Sequence, residues 1–311
     1  MIFMINTLSE INKAVAENTQ EFINKCEESY HTRLLQIARH IKENSHLKIV
    51  MLAGPSGSGK TTSAQLLCRY LKELNLHAQI VSLDDFYLDA DLLPVLPDGE
   101  RDTESVYALD LKEIECCFSA LLKTGKCIMP IFDFASHKSI KNARSVDITG
   151  GGVLIVEGLH ALNPEIADHL PADCIFKIYA SVNNSVLDDN GNEILSSRKI
   201  RLMRRALRDE RFRGASLEKT LDMWTQVVAG EEKHLYCFKD SADALLLTFH
   251  PYEVCVYKQR FCEMLKGLDI KAENYEYALL TGEGVKHFSE IPFTSVPENS
   301  LIREFVGHSD V

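Results

Sequence analysis

A glycine-rich segment beginning at residue 54 has the residue types and spacing that bind the phosphates of a nucleotide. It reads GPSGSGKT over 54–61 and matches G-x-x-x-x-G-K-[ST] at every fixed position. Backbone N–H groups between small residues can surround a phosphate, Lys60 can reach the β- and γ-phosphates, and the Thr61 hydroxyl suits Mg²⁺. The predicted nucleotide-binding residues are Gly54, Ser56, Gly57, Ser58, Gly59, Lys60, Thr61 and Thr62.

Two acidic segments could supply chemistry that a phosphate-binding loop alone lacks. Asp84 and Asp85 follow the apolar run at 78–83, where a carboxylate could accept the proton of an attacking hydroxyl. Glu157 follows the apolar run at 152–156, an arrangement typical of an acid that reaches Mg²⁺ directly or through water. An acid after a strand is common by itself, but together with the glycine-rich loop these acids favour phosphoryl transfer.

An arginine-rich segment, RKIRLMRRALRDERFR, follows at 198–213. Its spacing of three and four residues places several arginines on one face of a helix, namely Arg201, Arg204, Arg205 and Arg208. Guanidinium groups suit phosphoryl oxygens and can stabilise the charge of a transferring group when a lid closes. We expect two or three of these arginines to contact phosphate; the alternative is a solvated face paired with neighbouring acids.

The elements that must position these residues alternate along the chain. Short apolar runs predict strands at 47–53, 78–83, 152–156, 174–179 and 244–248, and helical spacing recurs at 8–44, 61–74, 110–124, 199–213, 216–235 and 253–266. This alternation predicts an α/β fold with a parallel sheet covered by helices on both faces. The connectors at 91–105, 136–152 and 181–197 have lengths typical of functional or mobile loops.

Composition narrows the class of protein. The 311 residues are 45% hydrophobic and 25% charged, as in globular proteins. The formal charge of −11 argues against general binding to nucleic acid or to an anionic membrane. Nine scattered cysteines without a C-x-x-C pair, no secretory leader and no apolar run near 18 residues predict a cytoplasmic protein without a membrane span. Assembly into a homo-oligomer stays open.

Taken together, the motifs resemble the uridine kinase and phosphoribulokinase family. The segments GPSGSGKTT, LDDFY, PIFDFASH and IVEG and the arginine-rich lid stand in that family's order and at similar spacing. The segments RDERFRG, MWTQVVAGEEKH, SADALLLTFHPYE and SLIREFVGHS look most like bacterial uridine-kinase-like nucleoside kinases. The similarity runs from about residue 30 to the C-terminus. The N-terminal TGS module of some of those kinases is expected to be lacking.

The resemblance implies a P-loop kinase fold with a five-stranded parallel sheet, an arginine-bearing lid, and ATP with Mg²⁺. It implies that Asp84 is the base for the ribose 5′-hydroxyl, that Glu157 is the metal-associated acid, and that lid arginines lie near the phosphates. The residues implied for catalysis are Asp84, Lys60, Arg204 and Arg208, and those for the metal are Thr61 and Glu157. Those implied for the substrate are Asp84, Tyr87, Glu104, Phe132, His137 and Arg201.

These observations predict an N-terminal helical extension at 1–45, a kinase domain at 46–270 with a lid at about 183–215, and a C-terminal segment at 271–311. The expected reaction moves the γ-phosphoryl group of ATP to the 5′-hydroxyl of a nucleoside. A different small alcohol, such as a sugar phosphate, is the alternative acceptor, and an ATP-binding regulatory protein is the alternative class. A GTPase is disfavoured because the Asn-Lys pairs lie upstream of residue 54, where no N-K-x-D motif can follow the loop.

Overall fold

The computed structural model of the protein describes residues 5–96 and 99–307. Residues 1–4 and 308–311, at the ends of the predicted terminal segments, and residues 97 and 98, in the predicted connector at 91–105, lie outside the described ranges. A five-stranded sheet forms the centre of the fold, in the order β2-β5-β1-β6-β9. All its neighbouring strands are parallel. They are β1 (Ile49–Ala53), β2 (Ala78–Ser82), β5 (Val153–Glu157), β6 (Ile175–Ser181) and β9 (Ala244–Leu247).

The five central strands confirm the α/β fold and the five apolar runs predicted from the sequence. Every residue of β1 is buried, and its side chains alternate between two hydrophobic cores. Val50 and Leu52 face one core, whereas Ile49 and Met51 face the other. Because both faces are covered, the inner strands β5, β1 and β6 are almost entirely buried and mostly apolar rather than alternating, which is why a run of apolar residues identified them.

Helices cover both faces of the sheet. The longest, α1, has a non-helical residue at Asn18 and packs against α2, which begins directly at the glycine-rich loop. Among the described residues, no helix is both long and apolar enough to cross a membrane. The helices are α1 (Leu8–Glu43), α2 (Lys60–Glu73), α3 (Leu111–Thr124), α4 (Pro164–Ala167), α5 (Ser197–Arg213), α6 (Leu217–His234), α7 (Glu253–Lys266), α8 (Tyr275–Lys286) and α9 (Arg303–Val306).

Two of the predicted connectors contain strands that belong to antiparallel hairpins, which corrects the prediction that these segments are loops. The connector at 136–152 contains β4 (Lys138–Asp147), which pairs with β3 (Lys126–Asp133). The connector at 181–197 contains the short pair β7 (Val186–Leu187) and β8 (Glu193–Leu195), just before α5. Most of β4 is exposed or half-buried, so it lacks the apolar run that identified the central strands.

The C-terminal segment returns to the sheet. Helix α8 packs against α7, and the short helix α9 packs against α5. Leu301, Ile302 and Phe305 are buried in the same core as α1 and α2. The end of the described chain therefore lies close to the glycine-rich loop.

Candidate active site

The glycine-rich loop joins the end of β1 to the start of α2, so its backbone N–H groups meet the positive end of the helix dipole. Gly57 and Gly59 have φ angles of 73° and 80°, a region that side-chain-bearing residues rarely adopt. A Cβ on Gly54 would lie 2.4 Å from the carbonyl oxygen of Ala180, so this position also requires glycine. The backbone thus forms a narrow turn that can surround an anion.

The loop contains one polar atom that suits a ligand. The Ser58 hydroxyl is buried and has no hydrogen-bond partner within the protein. A buried hydroxyl without a partner is unfavourable, and a phosphate oxygen would supply an acceptor. Lys60, whose Nζ lies 3.4 Å from the Pro55 carbonyl oxygen, extends over the same loop. These features fit the phosphates of a nucleotide.

The predicted metal-associated acid, Glu157, ends β5 beside Leu52 of β1 and Ser82 of β2. It is buried, and desolvation raises the pKa of its carboxyl group, although the charge of Lys60 opposes that rise. Among the described residues, no group of three or more His, Cys, Asp or Glu side chains is arranged to hold a metal ion. Thr61 and Glu157 would instead offer two hard oxygen ligands, which fits Mg²⁺ because that ion usually retains several waters.

Asp84 lies just beyond β2, in a single 3-10 turn whose N-cap is Ser82. The Asp84 backbone N–H donates to the Ser82 hydroxyl at 3.3 Å, which fixes the direction of the turn. The Asp84 side chain is open to solvent within a cleft whose protein walls surround it. This partial desolvation raises the pKa of Asp84, while the charge of Lys60 counteracts the rise. Lys60 therefore acts electrostatically on both Asp84 and Glu157.

Glu104 lies close enough to Asp84 for the charges of the two side chains to interact. Desolvation raises the pKa of Glu104 to about 7, opposed by Arg205 and reinforced by Glu231 and Asp84. Its side chain packs closely on Gly230 of α6, where an added Cβ would lie 2.9 Å from the Glu104 Cβ. The pKa of Glu104 therefore lies near neutral pH.

An aromatic cluster borders Asp84. The rings of Tyr87 and Phe132 have centroids 5.6 Å apart, and those of Phe132 and Phe134 are 5.0 Å apart. The Tyr87 hydroxyl donates to the Thr103 carbonyl oxygen at 3.1 Å, which leaves its ring face as the surface for a ligand. His137 lies farther out, exposed at the turn between β3 and β4 with φ of 54°.

One face of α5 is buried against the glycine-rich loop. Arg201 makes two hydrogen bonds to Glu231, at 2.7 and 2.8 Å, and a third to the Ser56 carbonyl oxygen. Arg204 is fully buried, with all its donors engaged by Glu253, Thr248 and the Gly57 carbonyl oxygen. A contact of Arg204 with phosphate would require some of these bonds to break, so that role stays a prediction.

The other arginines of α5 gather around Asp209, which is buried. Their distances to its carboxylate are 3.3 Å for Arg205, 2.9 Å for Arg208 and 3.3 Å for Arg213. Arg205 also donates to the Ser56 hydroxyl at 2.8 Å, and the charge of Arg213 lowers the pKa of Asp84 in opposition to desolvation. We call Arg205, Arg208 and Arg213 the Asp209 arginine cluster; Arg205 also acts electrostatically on Glu104.

Sequence reasoning did not identify several of these residues as functional. Arg213 follows Arg208 by five residues, so it falls outside the three- and four-residue spacing that selected the other arginines. The sequence offers Asp209 only as one of the acids that neighbour the arginines. Glu231 accepts a hydrogen bond from the Ser56 backbone N–H at 2.7 Å, although 175 residues separate them. The sequence signal for Glu231 is its position on the apolar face of α6, four residues after Val227, because an acid on that face needs a partner.

Comparison with known proteins agrees with this geometry. The sequence model of the Phosphoribulokinase / Uridine kinase family matches residues 49–249. A uridine kinase of Schizosaccharomyces pombe is 30% identical over 185 residues, covering 58% of this chain and 36% of that protein. A uridine kinase of Lactobacillus helveticus is 26% identical over 181 residues, covering 58% of this chain and 76% of that protein. The chain thus spans little more than a third of the first relative's length.

The solved structures that resemble this chain have lower sequence identities than these uridine kinases. A candidate fructose transport system kinase from Silicibacter is 22% identical, with a TM-score of 0.46 and coverage of 68% of this chain and 98% of that one. The D-glycerate 3-kinase of Cryptococcus neoformans is 18% identical, with a TM-score of 0.45 and coverage of 65% and 87%. The family match extends from β1, through the glycine-rich loop and α5, to the residues that follow β9. The chain therefore belongs to the phosphoribulokinase/uridine kinase family of P-loop kinases.

Proposed function

We propose that the protein transfers the γ-phosphoryl group of ATP to the 5′-hydroxyl of a nucleoside, with Mg²⁺ as cofactor. The observation that carries this proposal is the convergence of Lys60, Asp84 and Glu157 at the carboxyl edge of the sheet, beside the Asp209 arginine cluster. A protein that only bound nucleotide would need the loop but neither the exposed carboxylate nor the arginines. The similarity to uridine kinases supports the choice of a nucleoside.

Asp84 is the proposed general base. A carboxylate in this position accepts the proton as the acceptor hydroxyl attacks, a role that usually contributes 10²–10⁴-fold to the rate. Its raised pKa favours that role, since a more basic carboxylate accepts a proton more readily. The charge of Lys60 limits this rise.

Positive side chains stabilise the charge that develops during transfer. Thr61 and Glu157 would hold Mg²⁺, which would supply positive charge next to the phosphate oxygens of bound ATP. Lys60 reaches the same oxygens from the loop, and Arg208 approaches from α5. Arg204 and Arg201 contribute by holding the loop carbonyls of Gly57 and Ser56.

The opposite wall of the cleft is proposed to bind the nucleoside. Glu104 would accept hydrogen bonds from ribose hydroxyls, and the half-buried Tyr87, which packs on the buried Phe132, would offer its ring to the base. His137, exposed at the hairpin turn, would reach the outer edge of the base. Phe132 has no hydroxyl, so base recognition on this wall rests on stacking.

All nine cysteines are free thiols, which supports a cytoplasmic location.

A panel of acceptors tests the proposal. ADP release would be measured with ATP, Mg²⁺ and ribonucleosides, deoxyribonucleosides or ribulose 5-phosphate in turn, with the Lys60→Ala variant as control. We expect a nucleoside to stimulate ADP release in the wild type and no acceptor to do so in Lys60→Ala. Stimulation by ribulose 5-phosphate alone would replace the nucleoside with a sugar phosphate. Release that no acceptor stimulates would contradict the kinase proposal.

A further inference from the structure

An acidic side chain from the C-terminal segment binds the start of α2. The Glu304 carboxylate accepts hydrogen bonds from the Thr62 hydroxyl at 2.6 Å and from the Thr62 backbone N–H at 3.4 Å. Thr62 stands in the first turn of α2, where free N–H groups and the helix dipole favour an anion. A carboxylate of the protein therefore uses donors that the sequence assigned to nucleotide phosphate.

Fixed neighbours hold Glu304 in this place. On one side, the Ser300 hydroxyl donates to the buried Glu27 of α1 at 2.6 Å. Leu301 packs directly on the glycine-rich loop, since a Cβ on Gly59 would lie 2.6 Å from a Leu301 methyl carbon. On the other side, the buried Arg303 donates to the Gly307 carbonyl oxygen at 2.9 Å. These contacts are numerous and buried, so the backbone around Glu304 is well anchored.

Phe305 adds a link to the buried face of α5. The Arg204 guanidinium lies 4.9 Å from the centroid of the Phe305 ring, and the Tyr257 ring packs edge-on at 6.4 Å. Phe305 is fully buried, whereas Glu304 is only half-buried. The backbone on both sides of Glu304 is therefore anchored, while its side chain is still partly exposed to solvent.

The charge of Glu304 is felt within the candidate active site. After the larger effect of desolvation, it is one of the negative charges that raise the pKa of Glu157. It also offsets part of the desolvation that lowers the pKa of Arg213. Glu304 therefore shares one electrostatic environment with the proposed metal ligand and with the Asp209 arginine cluster.

We propose that Glu304 is an internal competitor of the nucleotide phosphates. This inference rests on the proposed function, because it assumes that a nucleotide binds the glycine-rich loop. Thr62 cannot donate the same hydrogens to Glu304 and to a phosphate, and two anions at one helix terminus repel each other. Nucleotide binding then requires the Glu304 carboxylate to turn away from Thr62. The free protein thus holds its own anion at the loop, which lowers nucleotide affinity.

Calorimetric titration with Mg²⁺ and ADP tests this inference. The variants are Glu304→Gln, which removes the charge and keeps an acceptor for Thr62, and Glu304→Ala, which removes both. The matched control is Glu290→Gln, whose exposed carboxylate lies in the same segment, 3.4 Å from Lys258. We expect roughly tenfold tighter ADP binding in both Glu304 variants, the size of one partly screened charge repulsion, and no change in the control.

The outcomes separate this inference from the proposed function. If the wild type binds ADP and the Glu304 variants bind it equally or more weakly, Glu304 does not compete and the inference is overturned, while the kinase proposal stands. If neither the wild type nor any variant binds ADP, both are overturned. Thermal unfolding without ligand would accompany each titration, so that a loss of folding is not mistaken for a loss of affinity.

Discussion

The arginines of α5 fall into two groups with different environments. Arg201 and Arg204 pair with Glu231 and Glu253, whose side chains are as inaccessible as their own. The Asp209 arginine cluster shares one carboxylate among three guanidiniums. Arg201 and Arg204 therefore each have a carboxylate of their own, whereas the cluster has more positive charge than Asp209 neutralises.

This difference indicates which arginines can bind substrate. A guanidinium with all donors engaged in the interior supports the structure, and breaking its pair leaves an uncompensated buried charge. A cluster with excess positive charge at a cleft attracts phosphate and can respond to it. We therefore propose that Arg201 and Arg204 support the glycine-rich loop and that the Asp209 arginine cluster binds the phosphates.

The largest expected effect comes from breaking a buried pair. Glu253→Gln leaves Arg204 without a counter-charge in the interior, so we expect the free energy of unfolding to fall by about 3–5 kcal/mol. Glu210→Gln is the control, because its partner Arg260 is exposed, and it should change stability by less than about 1 kcal/mol. Urea unfolding measures both variants. Equal, small losses would mean that the buried pair contributes no more than a surface pair.

A second effect should appear in the rate and not in stability. Arg208→Ala removes a guanidinium from the Asp209 arginine cluster, and we expect kcat to fall by roughly 10²–10³-fold, as for other groups that stabilise transition-state charge. Arg198→Ala, at the exposed start of the same helix, is the control and should keep its kcat. Steady-state kinetics and urea unfolding would be measured on each. A large loss of stability in Arg208→Ala would remove the distinction between the two groups of arginines.

The smallest expected effect concerns pH. The folded protein holds the Glu104 proton with a pKa of about 7, against an ordinary value of 4.5, so its contribution to stability is complete below about pH 4.5. That contribution is lost as the pH rises through 7, by about 1 kcal/mol given the partial exposure of the side chain. Glu104→Gln should remove this part of the pH dependence of unfolding. Identical pH profiles in both proteins would refute the raised pKa.

Sequence patterns predicted the sheet well because its inner strands β5, β1 and β6 are buried on both faces. Each apolar run needed only the length and composition of its own residues to be recognised. The hairpin of β3 and β4 escaped because most of β4 is exposed and seven of its ten residues are polar. Its strand character comes from pairing with β3, a contact that no local pattern encodes.

The candidate site also contains residues that a local pattern identifies and residues whose state depends on distant contacts. The glycine-rich loop and Asp84 depend on residues that are adjacent in the chain, so their motif and position could be read directly. The state of Arg201 and Arg204 depends on Glu231 and Glu253, which lie 30 and 49 residues away. Helical spacing put all four arginines on one face, but it could not show which of them meet buried acids.

The Asp84→Asn variant tests the central claim most directly. Its turnover with ATP and the best nucleoside acceptor would be measured beside its affinity for Mg²⁺ and ADP. If Asp84 is the general base of a kinase, kcat falls by about 10²–10⁴-fold while nucleotide affinity stays nearly unchanged. Near-normal turnover of Asp84→Asn would contradict the account.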